Sequence, residues 1–340
     1  MKKYDVTALG EILIDFTFAG KNAEGKNLYE ENIGGAPANV AAAIAKCGGK
    51  SAFIGMTGED SFGADSRNCL KALGVETKGM KITASQHTTL AFVSLDEKGE
   101  RHFSFCRNPG ADTQLAPENL DNEILENTTI FHIGSLSLTD EPVKSATIQA
   151  VKTVKEAGGL ISYDPNWREN LWKGLTDALE LLKSIFDYAD IVKISDDEMK
   201  LLFGNTTYAK AAGKIHEKGV KLVLITLGGE GVYYSAALSD GLISGKLGVP
   251  SVTVVDTTGA GDSFTGGLLY RLTRRENPLA FTKADLEEDL RFANAVASLC
   301  VTKRGAIPAL PSLSEVEEFL SRSTEFEQSP RSSMNSPFHL

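Results

Sequence analysis

The sequence predicts a three-layer α/β/α fold, with a mainly parallel central sheet between helices and a small β-sheet lid beside it. Three observations carry that expectation. From about residue 128, short apolar runs alternate with segments of helical periodicity, the pattern of a parallel sheet covered on both faces. Residues 88–106 alternate apolar and polar in the manner of a hairpin. Two glycine-rich turns each open a segment of helical spacing. At 340 residues the chain can bury a large core. Length alone allows one large α/β domain or two within residues 1–320, and the serine-rich, aperiodic stretch 321–340 reads as a disordered tail with no catalytic role.

Residues 4–16 read as a buried strand followed by Asp15, which either ends the strand or faces a polyol. Residues 17–33 are polar, with Phe18, Leu28 and Tyr29 scattered through them, and read as short strands outside the main sheet. With the hairpin of 88–106, whose turn falls at Asp96-Glu97-Lys98-Gly99, they would compose the lid. Gly34-Gly35-Ala36-Pro37-Ala38-Asn39 turns into a helix of small residues. The glycines let a ligand touch the backbone. Asn39 is either a helix-start residue or a partner for ligand hydroxyls. Ser51–Gly55 reads as a strand and Gly58–Gly63 as a turn into a helix ending near Leu73. Arg107 follows the hairpin, and a solvated side chain is its plain reading.

The later strands are read at 129–133, 160–163, 189–194 and 221–226, with helices at 142–157, about 176–187 and around Glu198. Residues 232–234 and 242–255 read as antiparallel strands. The decisive stretch is next. The β-branched run Val252, Val254 and Val255 stops at Asp256, Gly259-Ala260-Gly261 follows, and helical spacing begins with Phe264, Leu268, Leu269 and Leu272. This reads as strand, tight turn and helix start. Bare amides at the positive end of a helix dipole make a pocket for an anion. Asp262 at its rim suits a reaction in which a hydroxyl loses a proton as it attacks a phosphate. A cap and an ordinary turn are the plain alternative. A last helix holds Leu290, Phe292, Val296 and Leu299.

Composition narrows the classes. A net charge of −10 argues against nucleic acid and anionic membranes as partners. Cys47, Cys69, Cys106 and Cys300 are too far apart for a zinc or CxxC motif and read as reduced thiols of a cytoplasmic protein. No membrane span or secretory signal is read, since Glu11 and Asp15 cut the first apolar run. A Walker A motif is excluded because Ile44 stands where its first glycine belongs, and a GxGxxG fingerprint because Phe264 replaces the third glycine.

Gly34-Gly35-Ala36-Pro37-Ala38-Asn39 and Asp256-Thr257-Thr258-Gly259-Ala260-Gly261-Asp262 together resemble the two signatures of the ribokinase-like (PfkB) sugar kinases, and the resemblance runs from about residue 4 to 320. Within that family the chain is most similar to the fructokinases. The supporting stretches are Gly10–Asp15, Arg107–Asp112, Tyr163–Arg168 and Lys193–Glu198.

The resemblance implies ATP-dependent phosphorylation of the 6-hydroxyl of D-fructose. Asp262 would be the base, and the amides of Gly259, Ala260 and Gly261 the anion hole. Asp15, Gly34, Gly35 and Asn39 would hold the sugar, with Arg107 and Arg168 near sugar or phosphate. Lys193, Ser195, Thr226, Gly228, Gly231 and Asn294 are expected beside the nucleotide. Glu198 would orient Mg2+ through water, and Asp256 and Thr257 would border a site for a monovalent cation such as K+. Ser195 stands where many ribokinases have Asn, a departure that favours the fructokinase subgroup. The scaffold equally serves 2-keto-3-deoxygluconate kinase and ribokinase, and a sugar-binding regulator without activity is the alternative of another class. The partners expected are sugar and ATP, and a lid with an exposed edge suits a homodimer.

Overall fold

The computed structural model describes residues 2–95, 101–172, 174–238 and 241–328. The first apolar stretch is not one strand. It forms β1 (Tyr4–Leu9), breaks, and resumes as β2 (Leu13–Lys21), which pairs with β3 (Asn27–Gly34) away from the main sheet. Asp15 therefore lies within a lid strand and not at the end of a core strand. The chain returns through α1 (Ala36–Lys46), β4 (Ser51–Gly58), α2 (Ser61–Ala72) and β5 (Met80–Thr83). It then revisits the lid with β6 (Leu90–Leu95) and β7 (Arg101–Cys106). The turn expected at Asp96–Gly99 lies outside the described residues.

A short α3 (Asn122–Glu126) leads to β8 (Thr128–Ile133), α4 (Val143–Glu156), β9 (Leu160–Tyr163), α5 (Leu175–Ser184) and β10 (Ile191–Ser195). There follow α6 (Asp196–Phe203), α7 (Tyr208–His216), β11 (Leu222–Thr226), β12 (Val232–Leu238) and β13 (Gly241–Leu247). The chain closes with α8 (Ala260–Leu272), α9 (Lys283–Cys300) and α10 (Leu313–Gln328).

The main sheet runs β13-β12-β11-β10-β9-β8-β1-β4-β5. Every pair from β11 to β5 is parallel, while β12 and β13 are antiparallel additions at one edge. The two-residue period of a strand explains the two apolar layers. Phe131, Val223 and Ile225 face a core closed by Ala146, Ala150 and Val154 of α4. Their sequence neighbours Ile130, Leu222 and Leu224 face the other core, closed by Phe264 and Leu268 of α8 and Leu290 of α9.

From β1 the chain builds toward β5 on one side, and β8 then starts the other half on the opposite side of β1. That reversal opens a crevice at the carboxyl ends of the strands. The lid, in order β3-β2-β6-β7, joins two antiparallel pairs through a parallel β2–β6 contact. Phe16 stacks on Phe92 with ring centroids 5.2 Å apart, and Tyr29 meets Phe92 edge-on.

Two expectations are corrected. Residues 248–255 form no strand, and Val254 and Val255 are 57% and 56% exposed. Their backbone is tied to a helix end instead, with the amides of Val255 and Asp256 donating to the Val301 carbonyl at 2.8 and 3.2 Å. A β-branched run does not become a strand when no neighbouring strand supplies partners. Helices α7 and α10 went unread, and α10 continues to Gln328, past the boundary expected at 320. Residues 329–340 lie outside the described residues. Of the two signature turns, Gly34-Gly35 ends the lid strand β3, and Gly259 follows the irregular segment.

Candidate active site

The site begins with the start of α8. Gly259 caps the helix in the left-handed region at φ 74°, and a Cβ there would lie 2.7 Å from Cβ of Ala306. Only glycine combines that backbone with that approach. No side chain caps the helix. Among the described residues the amides of Gly259, Gly261 and Asp262 have no acceptor, whereas that of Ala260 reaches the Thr257 carbonyl at 3.3 Å. The expected trio of open amides is thus shifted. Ala260 is drawn into the tight turn, and Asp262 contributes its own N–H. These donors sit at the positive end of α8.

The start of α1 meets it. Gly35 has φ 109°, and a Cβ there would lie 2.5 Å from the Glu11 carbonyl oxygen. In the first turn of α1, the Asn39 amide Nδ2 donates to Oδ2 of Asp262 at 2.7 Å. The helices come this close because Gly266 of α8 has no side chain: a Cβ there would lie 2.5 Å from Cβ of Ala43 in α1. Glu11, just after β1, caps α1 from outside, its Oε1 accepting from the Ala36 amide at 2.9 Å. Its Oε2 is buried without a partner among the described residues. Burial pushes the Glu11 carboxyl up to about 7.

The ends of β9 and β10 supply the facing wall. Lys193 Nζ donates to Oδ2 of Asp164 at 2.9 Å, and Asp164 Oδ1 accepts from the Asn166 amide at 3.1 Å. Ser195 caps α6, its Oγ accepting from the Glu198 amide at 3.1 Å. Glu198 answers with Oε2 on the Ser195 amide and Oε1 on the Trp167 amide, both at 2.7 Å. This capping box locks the carboxylate.

Together these elements enclose a cleft of about 230 Å³. It brings together the expected Asp15, Gly35, Asn39, Arg168, Lys193, Thr257, Gly259, Ala260, Gly261 and Asp262. Gly34 lies beside Asp15, whose carboxylate occupies the space a Cβ would need. Sequence reasoning missed Glu11, Leu13, Phe105, Leu136 and Asn166 in the wall, and Asp164 behind Lys193. The Gly-Glu pair ending a buried strand and the Asp-Pro-Asn turn were their only signals.

Other expected residues lie elsewhere. Arg107 is not in this cleft. It is buried, with Nε and Nη2 on Oδ2 of Asp112 at 2.8 and 2.7 Å, Nη2 on the Leu136 carbonyl and Nη1 on Thr139. It edges a separate polar cavity with Asn108, Asp140 and Trp172. The physical reason is that a buried guanidinium takes the carboxylate and carbonyl within its fork before reaching outward. Asn294 is buried too, its Nδ2 donating to the Gly248 carbonyl at 2.9 Å. Thr226, Gly228 and Gly231 mark the carboxyl end of β11, outside the cleft wall. Asp256 accepts from the Thr258 amide and hydroxyl with Oδ1 and from the Gly305 amide with Oδ2, pinning the loop before α8. Its neighbour Thr257 reaches the cleft.

Burial raises the Asp262 carboxyl to about 6, with Asp164 adding to the rise and Asn39, Lys193 and Arg168 opposing it. At neutral pH it is mostly an ionised carboxylate, beside the open N–H groups at the start of α8. No group of three or more His, Cys, Asp or Glu side chains able to hold a metal occurs among the described residues. Both Glu198 oxygens already hold backbone amides but keep spare lone pairs, which fits contact with a metal through water and not direct ligation. No helix among the described residues is long and apolar enough to cross a membrane.

Residues 3–313 match the model of the pfkB family of carbohydrate kinases. A probable fructokinase-3 of Arabidopsis thaliana is 42% identical over 318 residues, covering 93% of this chain and 91% of that protein. A fructokinase of Xylella fastidiosa solved with bound ATP superposes with a TM-score of 0.87 at 32% identity, over 94% of this chain and 99% of that one. A fructokinase of Vibrio cholerae O395, bound to fructose, ADP and a calcium ion, gives 0.83 at 32% identity over 93% and 98%.

Proposed function

The chain belongs to the pfkB family of carbohydrate kinases, and on that premise we propose that it moves the terminal phosphoryl group of ATP to the 6-hydroxyl of D-fructose. One observation carries the reading. The Asp262 carboxylate, held by Asn39, shares the cleft with open amides of the α8 N-terminus. The similarity to fructokinases supports fructose ahead of ribose or 2-keto-3-deoxygluconate.

In this reading Asp15, Asn39 and the Gly34-Gly35 backbone hold the sugar, with Arg168 near its phosphate-accepting end. Asp262 Oδ2 is occupied by Asn39, which leaves Oδ1 to take the hydroxyl proton. The amides of Gly259, Gly261 and Asp262 meet the charge that builds on the phosphoryl oxygens. The lid strands exclude water, so that sugar and not solvent receives the phosphate. Thr226, Gly228 and Gly231 line the nucleotide shelf, and Asn294 supports it by holding the Gly248 carbonyl. Mg2+ on the nucleotide phosphates would neutralise part of their charge, with Glu198 and Ser195 ordering its water shell. Asp256 shapes the Thr257 loop toward a K+ ion. Two chains pair through the lid, whose Leu28 and Tyr29 are 47% and 43% exposed. Four free cysteines support a reducing, cytoplasmic setting.

The test is an ATP-coupled assay across fructose, ribose, 2-keto-3-deoxygluconate and glucose, with and without K+. Fructose should give the highest kcat/KM. Asp262→Asn should bind sugar nearly as well and lose about 10²-fold or more in kcat. A better kcat/KM with another sugar would replace fructose, and normal turnover by the variant would remove Asp262 as the base.

A further inference from the structure

Lys193 stands between carboxylates and the positive end of a helix. Its Nζ lies 3.0 Å from where a Cβ of Gly261 would stand, hard against the first turn of α8. A helix N-terminus carries partial positive charge and unpaired N–H groups, so a cation there is disfavoured unless an anion lies between them. Burial also opposes the ammonium, yet Asp164, Glu198 and Asp262 keep Lys193 charged, its basicity raised above that of a free lysine. The side chain is 10% exposed and lines the same cleft as Asp262, whereas Thr226, Gly228 and Gly231 do not. In the structure Asp164 supplies the compensating charge at 2.9 Å.

We propose that Lys193 is a catalytic residue, not a part of the nucleotide shelf: its ammonium contacts the oxygens of the transferring phosphoryl group beside the α8 amides. Asp164 is its positioning residue and counter-ion, holding the amine toward the anion hole when no phosphate is bound. Gly261 is the glycine that leaves room for it. The arrangement matches what phosphoryl transfer needs, a fixed cation and open amides gathered at one place for a group whose oxygens become more negative. No bond to Lys193 forms or breaks.

The inference rests on phosphoryl transfer at this cleft, and its test is chosen to stand apart from the identity of the sugar. Calorimetry on Lys193→Met and Lys193→Arg would compare MgADP alone with MgADP plus aluminium fluoride, a mimic of the transferring group that needs no turnover. Lys193→Met should bind MgADP within about threefold of wild type and lose about 10²–10³-fold for the fluoride complex, with a similar drop in kcat and a small change in sugar KM. Lys193→Arg should recover part of both. Equal losses for the two ligands would return Lys193 to the nucleotide shelf, and no loss for either would remove it from the site. Should Lys193→Met misfold because Asp164 is left buried and unpaired, the double variant Lys193→Met with Asp164→Asn removes both charges and is read by the same comparison. A wild type that binds the fluoride complex but does not phosphorylate fructose would indict the sugar assignment and leave the Lys193 result to stand.

Discussion

The amide of Asn39 donates to Oδ2 of Asp262 at 2.7 Å, joining the first turns of α1 and α8 across 223 residues of chain. The two signature turns thus meet in one place, and if Asp262 is the base, Asn39 decides which of its oxygens is free. Asn39 Oδ1 is itself buried with no partner among the described residues, so the same side chain can hold the base with one end and a sugar hydroxyl with the other.

Removing that amide should move the pH dependence of catalysis. The bond favours ionised Asp262, whose carboxyl is raised to about 6 by burial, with Asp164 adding to the rise while Lys193 and Arg168 oppose it. Cys300 lies near enough to feel its charge. A base works only when ionised, so kcat falls as pH drops through that value. In Asn39→Ala the stabilising bond is lost, the carboxyl rises further, and the acid limb of the kcat profile should shift to higher pH. A profile that drops uniformly at all pH values would show that Asn39 does not tune the base.

Packing far from the chemistry should also reach it. Gly266→Ala puts a methyl 2.5 Å from Cβ of Ala43, and overpacking of this kind costs about 1–3 kcal/mol. If α1 and α8 part to relieve it, the Asn39–Asp262 bond lengthens. Both Tm and kcat should fall, with sugar KM rising. Lower Tm at unchanged kcat would mean that the helices absorb the methyl elsewhere.

Arg107 is expected to govern stability and not sugar affinity. Arg107→Ala leaves Asp112, whose side chain is 3% exposed, without its partner. Breaking such a buried pair costs about 3–5 kcal/mol. Denaturant unfolding should show the loss while the folded variant keeps its sugar KM. A large rise in KM at unchanged stability would put Arg107 back in the sugar site.

Glu11 offers a test in the opposite direction. Its folded-state carboxyl is raised to about 7 by burial, above the ordinary value near 4.5. The sign follows: its contribution is complete below the ordinary value and is lost as pH rises through about 7, where a charge must be buried. Glu11→Gln can still accept from the Ala36 amide but carries no charge. Its Tm should therefore gain on wild type as pH is raised from 6 to 9. Parallel Tm curves would show that Glu11 titrates as an ordinary glutamate.

Much of this molecule was legible in its sequence. Strand and helix periods are local properties of the chain, and the parallel core, the hairpin of 88–106 and the helix starts at Gly35 and Gly259 were read from them. The failures were of one kind. Val252–Val255 has the composition of a strand, but whether it pairs depends on what lies beside it, and the Val301 carbonyl took the amides of Val255 and Asp256 instead. Arg107 reads plainly as a solvated arginine, but Asp112, Thr139 and the Leu136 carbonyl hold its guanidinium in the interior.

Local pattern was enough to name the candidates for the chemistry: glycines that leave amides bare, a carboxylate in the first turn of a helix, and a family pattern that relates the two. Which charges face one another came from the packing of distant segments. Asn39 on Asp262, Lys193 against α8 with Asp164 behind it, and Glu11 on Ala36 are contacts between segments distant in sequence. Each depends on Coulomb and hydrogen-bond distances of a few ångströms, which local propensity does not encode and only the packed fold sets.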